Sequence, residues 1–233
     1  MGIFEGTGSA STIGHGLGVA PKFIILKGLD NSSYSTVCYH YGVASDPETD
    51  YIQLNSTDDR ADDVGMWNDT APTSTVFSVG TGSSVNKSGE TMAYYAFAEI
   101  LGYSKFGFYE GTGVTTIGGT PLIYTGFRPQ LVIIKNVEAN STYWMAMSSD
   151  RPDDSPQTPA GITIQNPFQN YLKVNDTTAD TGGYDAVDML STGFRVANTT
   201  AWSSINTSGN RYLYCAWAQH PFGGEDTTPM TAS

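Results

Sequence analysis

The chain has 233 residues, enough for one large or two ordinary domains. Eleven Lys and Arg stand against 23 Asp and Glu, a net charge of −12. That excludes a nucleic-acid or anionic-membrane partner, since both need clustered basic side chains. Charged residues make up 15%, below the usual ~25%, so the surface is built largely from Ser, Thr, Asn and Gly.

Residues 1–20 are rich in Gly and Ser rather than apolar, so they do not read as a standard signal peptide. No apolar run approaches the ~18 residues of a membrane span, and no membrane insertion is expected. From there the pattern is written twice. Gly-Ile-Phe-Glu-Gly-Thr-Gly at 2–8 returns as Gly-Phe-Tyr-Glu-Gly-Thr-Gly at 107–113. After a turn-rich segment, Pro-Lys-Phe-Ile-Ile-Leu-Lys at 21–27 is matched by Pro-Gln-Leu-Val-Ile-Ile-Lys at 129–135. Such runs read as strands buried on both faces. Proline at the first residue removes no central ladder bond. Residues 35–41 and 141–147 read as the next strands. Variable loops follow at 44–50 and at 148–170, the second longer and rich in proline.

Residues 51–55 correspond to 171–175, with apolar positions alternating with polar ones as in a strand with one buried face. Residues 75–79 correspond to 192–196. The last pair is the most pronounced. Asn-Lys-Ser-Gly-Glu-Thr-Met-Ala-Tyr-Tyr-Ala-Phe-Ala-Glu occupies 86–99. Asn-Thr-Ser-Gly-Asn-Arg-Tyr-Leu-Tyr-Cys-Ala-Trp-Ala-Gln occupies 206–219. In each, an Asn-x-Ser-Gly turn leads into an aromatic and small-residue strand, with 94–99 and 214–219 expected among the most buried segments.

Short strands separated by turn residues predict an all-β chain of two tandem, jelly-roll-like β-sandwich units of about 105–115 residues. The units are expected at 1–106 and 107–222, followed by a tail at 223–233. The boundary is neither Pro-rich nor charged, so close docking is expected through Ile100, Leu101, Tyr103, Phe106 and Phe108.

Candidate chemistry is thin. Glu90 and Glu99 offer a carboxylate pair, but the matching positions are Asn210 and Gln219, which cannot ionise. The acidic stretch 58–63, with Asp46, Glu48 and Asp50 nearby, lacks the spacing of a calcium loop and reads as a solvated segment. His15, His40 and His220 stand outside any metal-ligand spacing. Cys38 and Cys215 read as small buried residues rather than a bridge. Catalytic, cofactor and metal sites are therefore not expected. Trp144 and Trp217 read as core, whereas Trp67 and Trp202 lie in turn-rich segments, where they would contact a glycan or partner or plug the sandwich ends. Asn-x-Ser/Thr recurs between the copies at Asn55 and Asn175 and at Asn86 and Asn206, which suits turn and strand-end chemistry.

Taken together, Gly-His-Gly-Leu-Gly-Val-Ala-Pro-Lys-Phe-Ile-Ile (14–25), Met-Trp-Asn-Asp-Thr-Ala-Pro-Thr-Ser-Thr-Val-Phe (66–77), Ala-Phe-Ala-Glu-Ile-Leu-Gly-Tyr-Ser-Lys-Phe-Gly (96–107) and Tyr-Thr-Gly-Phe-Arg-Pro (124–129) resemble a repeat domain of unknown function. That domain occurs in marine phage structural proteins, notably tail-fibre-like ones. The resemblance covers about 1–222 and implies a non-enzymatic virion structural protein, tail-associated or decorating the capsid, at the particle surface. Other virion proteins would be its partners, and a homo-oligomer, a trimer first, its assembly. The alternative expectation is a glycan-binding adhesin that reads a host surface glycan.

Overall fold

The computed structural model describes residues 1–32, 34–116, 118–149, 171–177, 186–196 and 204–221. The chain is nearly all β, and its sheets are antiparallel. It divides into two compact units, Met1–Glu99 and Ile100–Ser233.

The first unit holds β1 (Gly2–Glu5), β2 (Ser11–Gly14), β3 (Phe23–Gly28), β4 (Val37–His40), β5 (Asp50–Gln53), β6 (Ala61–Asp62), β7 (Val76–Val79) and β8 (Thr91–Phe97). Two single-turn helices, α1 (Val64–Trp67) and α2 (Ser83–Asn86), interrupt them. The large sheet runs β1-β8-β3-β4-β5-β6, and β2 pairs with β7 as a second, smaller sheet. Ile24, Leu26, Val37, Tyr39, Met92 and Tyr94 point from the large sheet toward Phe77 and Val79 on β7. The spacing of two between these residues is what sends them to one face. Two contacts tie the layers. The Phe77 and Tyr94 rings meet edge to face at 5.1 Å, and the Tyr94 hydroxyl donates to Gly14 O at 2.7 Å.

The second unit holds β9 (Ser104–Glu110), β10 (Leu122–Tyr124), β11 (Pro129–Asn136), β12 (Met145–Ser148), β13 (Leu172–Lys173), β14 (Val187–Leu190), β15 (Gly193–Val196) and β16 (Arg211–Ala218). Its large sheet runs β9-β16-β11-β12-β13 and its small one β10-β15-β14. Written against β1-β8-β3-β4-β5 and β2-β7, five strands of the large sheet and the pair β10-β15 follow the same order, while β6 and β14 have no counterpart among the described residues. The Phe194 and Tyr214 rings again meet edge to face, at 5.4 Å. Proline opens β11 at Pro129, where the ladder to β16 shifts register before Leu131, so the missing N–H falls at an irregularity rather than in the regular ladder.

Three expectations need correction. The boundary expected between 106 and 107 falls inside β9, and the units divide at Glu99 and Ile100. Gly107 is not a break. A Cβ there would lie 2.5 Å from the Tyr214 hydroxyl, so the residue is small because a ring crosses the strand. Residues 94–99 are also less covered than expected: Tyr95 is 46% exposed and Glu99 is exposed, whereas Tyr214, Cys215, Ala216 and Ala218 are all buried. Finally, α1 and α2 are helical where the sequence reads as turn. Four residues are too few to show a helical period, and α1 is set locally, by Asp63 accepting from Gly65 N at 2.8 Å and by Asn68 closing it in the left-handed region.

Candidate functional site

Within each unit the recurring motifs come together, and what they build there is a clasp. In the first unit, Asn86 ends α2 with its amide fully buried. Its Oδ1 accepts from Thr7 N at 2.8 Å, and its Nδ2 donates to Ser9 O at 2.7 Å and Gly80 O at 2.9 Å. Around it, Gly8 N donates to Asn86 O and Gly89 N to Gly6 O. The backbones approach so closely that a Cβ on Gly6 would sit 2.1 Å from Lys87 O. The second unit repeats the arrangement. Asn206 Oδ1 accepts from Thr112 N at 2.8 Å and its Nδ2 donates to Val114 O at 3.0 Å. Gly113 N donates to Asn206 O and Gly209 N to Gly111 O, and a Cβ on Gly111 would sit 2.1 Å from Thr207 O. The other recurring asparagines act alike: Asn55 Oδ1 accepts from Thr36 N and Asn175 Oδ1 from Trp144 N, each at 2.9 Å. A buried amide with every group bonded fixes a loop. Asn86 and Asn206 are such amides, whereas Asn55 is exposed and Asn175 half-buried.

The lysines closing the two apolar runs do comparable work. Lys27 Nζ donates to Tyr34 O. Lys135 is fully buried, and its Nζ donates to Thr142 O at 2.8 Å and Thr142 Oγ1 at 3.1 Å.

The predicted candidates fall in scattered places. Trp67, expected to face a glycan or plug an end, is 2% exposed and meets Tyr39 edge to face at 5.8 Å. It is core, and at that burial its indole cannot stack on a glycan. Trp202 lies outside the described residues. Trp144 is buried, and Trp217 packs edge to face on Phe106 at 5.7 Å. Glu90 and Glu99 flank opposite ends of β8, roughly 30 Å apart at ~3.3 Å per residue, far beyond the ~5–9.5 Å of a hydrolytic pair. Glu90 instead accepts from the Tyr34 hydroxyl at 3.4 Å.

The acidic stretch is drawn out along structure rather than gathered. Asp62 pairs with Asp50 across β5 and β6, Asp63 caps α1, and Arg60 Nε lies 3.9 Å from Asp50 Oδ1. Burial raises the Asp50 carboxyl above its usual range, and Thr49 and Arg60 only partly offset it. Among the described residues no group of three or more His, Cys, Asp or Glu is placed to hold a metal ion. His15 accepts from Leu17 N at Nδ1, 3.2 Å, which leaves Nε2 as donor to Thr73 O at 3.1 Å. His40 is buried, stacks on Tyr41 and accepts from Gly42 N.

The five residues expected at the junction all belong to the second unit. Phe106 is buried. Ile100, Leu101, Tyr103 and Phe108 are 52%, 66%, 37% and 46% exposed. Residues 101–103 form the turn closed by the Ile100–Ser104 bridge, which turns the Leu101 and Tyr103 side chains outward. Phe108 faces away from the core that its neighbour Tyr109 enters, and the Arg211 guanidinium lies 4.5 Å over its ring.

Neither cysteine is bridged, and both are buried. Burial pushes the Cys38 thiol far above its usual range, which leaves it almost wholly protonated and unreactive at neutral pH. An aromatic disulfide reagent is expected to titrate no thiol in the native protein and two per chain in guanidinium. Rapid native labelling of either would mean that its strand opens.

One feature missed in the sequence is an exposed apolar pair. Leu122 and Tyr124 on β10 are 63% and 72% exposed, while Ile123 between them enters the core. Across the small sheet, Leu122 faces Arg195, which faces Asp188, and Tyr124 faces Gly193, which faces Leu190. The alternation was there to be read, but with three residues in the strand it has little weight.

A family model described as Domain of unknown function (DUF7483) matches residues 2–221 and so spans both units. The chain belongs to that family. No curated protein and no solved structure matches it.

Proposed function

We propose that this member of the family is a non-enzymatic structural protein of a phage virion, built from two tandem copies of one sandwich and displayed at the particle surface on tail or capsid. The observation that carries the reading is what the two units have in common. Gly6 and Gly111, Thr7 and Thr112, Asn86 and Asn206, and Tyr94 and Tyr214 take the same parts in both, and every one of these parts is framework. Repetition that keeps buried hydrogen bonds, while residues with potential chemistry such as Glu90 and Glu99 have uncharged counterparts, is what a display scaffold requires. The low-charge surface and the resemblance to phage structural repeats point the same way.

Mass spectrometry of purified particles tests this, with immunogold labelling to locate the protein. A fixed copy number per particle is expected, with other virion proteins as neighbours and a trimer of the purified chain by native mass measurement. Absence from the particle overturns the proposal.

A further inference from the structure

We infer that the outer face of the β10-β15-β14 sheet is a contact surface for a neutral saccharide, with Tyr124 as the stacking platform. The first unit supplies the comparison. There β2 and β7 fill the same places, Ile13 facing Phe77 as Ile123 faces Phe194. The outward positions matching Leu122 and Tyr124 are Thr12 and Gly14. The fold thus closes equally well with a hydroxyl and a hydrogen atom there, so it does not require an exposed leucine and tyrosine. Their exposure of 63% and 72% is specific to the second unit.

The geometry suits one kind of occupant. Leu122 and Tyr124 stand two residues apart, ~7 Å along the strand. The Tyr124 ring has Gly193 beside it on β15, so its cross-strand neighbour adds no side chain on that flank. Arg195 and Asp188 continue the Leu122 row across the sheet, giving a donor and an acceptor group within ~10 Å at ~4.8 Å per strand. An aromatic face is electron-rich. A pyranose offers polarised C–H bonds on one face and hydroxyls at its rim, which matches an aromatic ring flanked by charged hydrogen-bonding groups. The row carries one positive and one negative side chain, and the whole chain carries −12, which disfavours uronate, sialate or phosphate ligands. A second protein copy fits less well. Two side chains offer roughly 250 Å², well under the ~800 Å² per partner of a stable interface.

The test uses the full chain, fluorescently labelled, on an array of neutral oligosaccharides printed beside sialylated and uronate-bearing ones. Binding to one or more neutral glycans is expected, at least tenfold weaker for Tyr124→Ala. The double variant Leu122→Thr, Tyr124→Gly should show the same loss. It carries the first unit's residues at these places, so its melting curve should match the parent's. Absence of neutral-glycan binding overturns the inference, as does binding that Tyr124→Ala leaves unchanged or that is confined to the acidic glycans. A concentration-dependent dimer lost in Tyr124→Ala would assign the face to a second copy and also overturn it. Location on a virion is a separate measurement, so the two proposals fail separately.

Discussion

Replacing Trp67 with alanine is expected to cost the protein about 3–5 kcal/mol of stability, the usual loss for truncating a buried tryptophan, and to leave glycan binding at Tyr124 untouched. Trp67 is 2% exposed at the end of α1. It packs with Tyr39, Phe77, Val79 and Val85 in the first unit's core, where the cavity left by the indole would be lined by β-sheet side chains that cannot close over it. Its Nε1 has no hydrogen-bond partner among the described residues, so Trp67→Phe gives up volume without stranding an acceptor and should cost less, on the order of 1–2 kcal/mol. Trp67 is the sole tryptophan of residues 1–99, so urea unfolding of the variants is followed by far-ultraviolet circular dichroism. Native-like melting of Trp67→Ala together with lost glycan binding would return this residue to the surface and sink the core assignment.

Trp67 also shows where a sequence stops being legible. The strands at 23–28 and 129–136 announce themselves, because long apolar runs closed by lysine have few other uses, and the lysines do bond to the loops that follow. The asparagine turns were visible as recurrences. Their role was not, because the partners of Asn86 lie 77 and 79 residues away at Ser9 and Thr7, and no local pattern encodes that meeting. Trp67 is open between surface and interior in the sequence for a related reason: a four-residue helix has no periodicity, and whether its last side chain turns inward depends on a cap and on a core built elsewhere. The unit boundary slipped because Gly107 has two physical meanings. As punctuation it ends a segment; under a crossing tyrosine ring it sits within a seven-residue strand. Only the packing distinguishes them. Exposure of Leu122 and Tyr124 was beyond reach in the same way, since alternation names two faces and does not say which is wet.

Disrupting the clasp should have the other large effect, and it should differ between the units. Asn86→Leu keeps side-chain volume but removes the partner of Gly80 O, which is buried, and of Thr7 N and Ser9 O, which are partly so, at roughly 1–3 kcal/mol for each group left buried without a partner. A loss of about 4 kcal/mol is expected after partial relaxation. Asn206→Leu strands fewer groups, Thr112 N and Val114 O, and Asn206 is 8% exposed where Asn86 is wholly buried. Water can reach it, so about 2 kcal/mol is expected there. Gly6→Ala approaches the same clasp from the backbone. Its Cβ would fall 2.1 Å from Lys87 O, and because a carbonyl in a closed turn cannot rotate away, the end of β1 must lift. That breaks Gly89 N to Gly6 O and Gly8 N to Asn86 O, with about 3 kcal/mol or more lost. Gly111→Ala should act alike in the second unit, where Thr207 O stands at the same 2.1 Å. Hydrogen exchange supplies the readout that global melting does not. In Gly6→Ala the amides of Gly8 and Gly89 should lose protection while those of Gly113 and Gly209 keep theirs, and in Gly111→Ala the pattern should invert. Loss of protection at all four amides in either variant would mean that the clasps open as one element, and unchanged protection in both would mean that the close approach at Gly6 and Gly111 holds nothing in place.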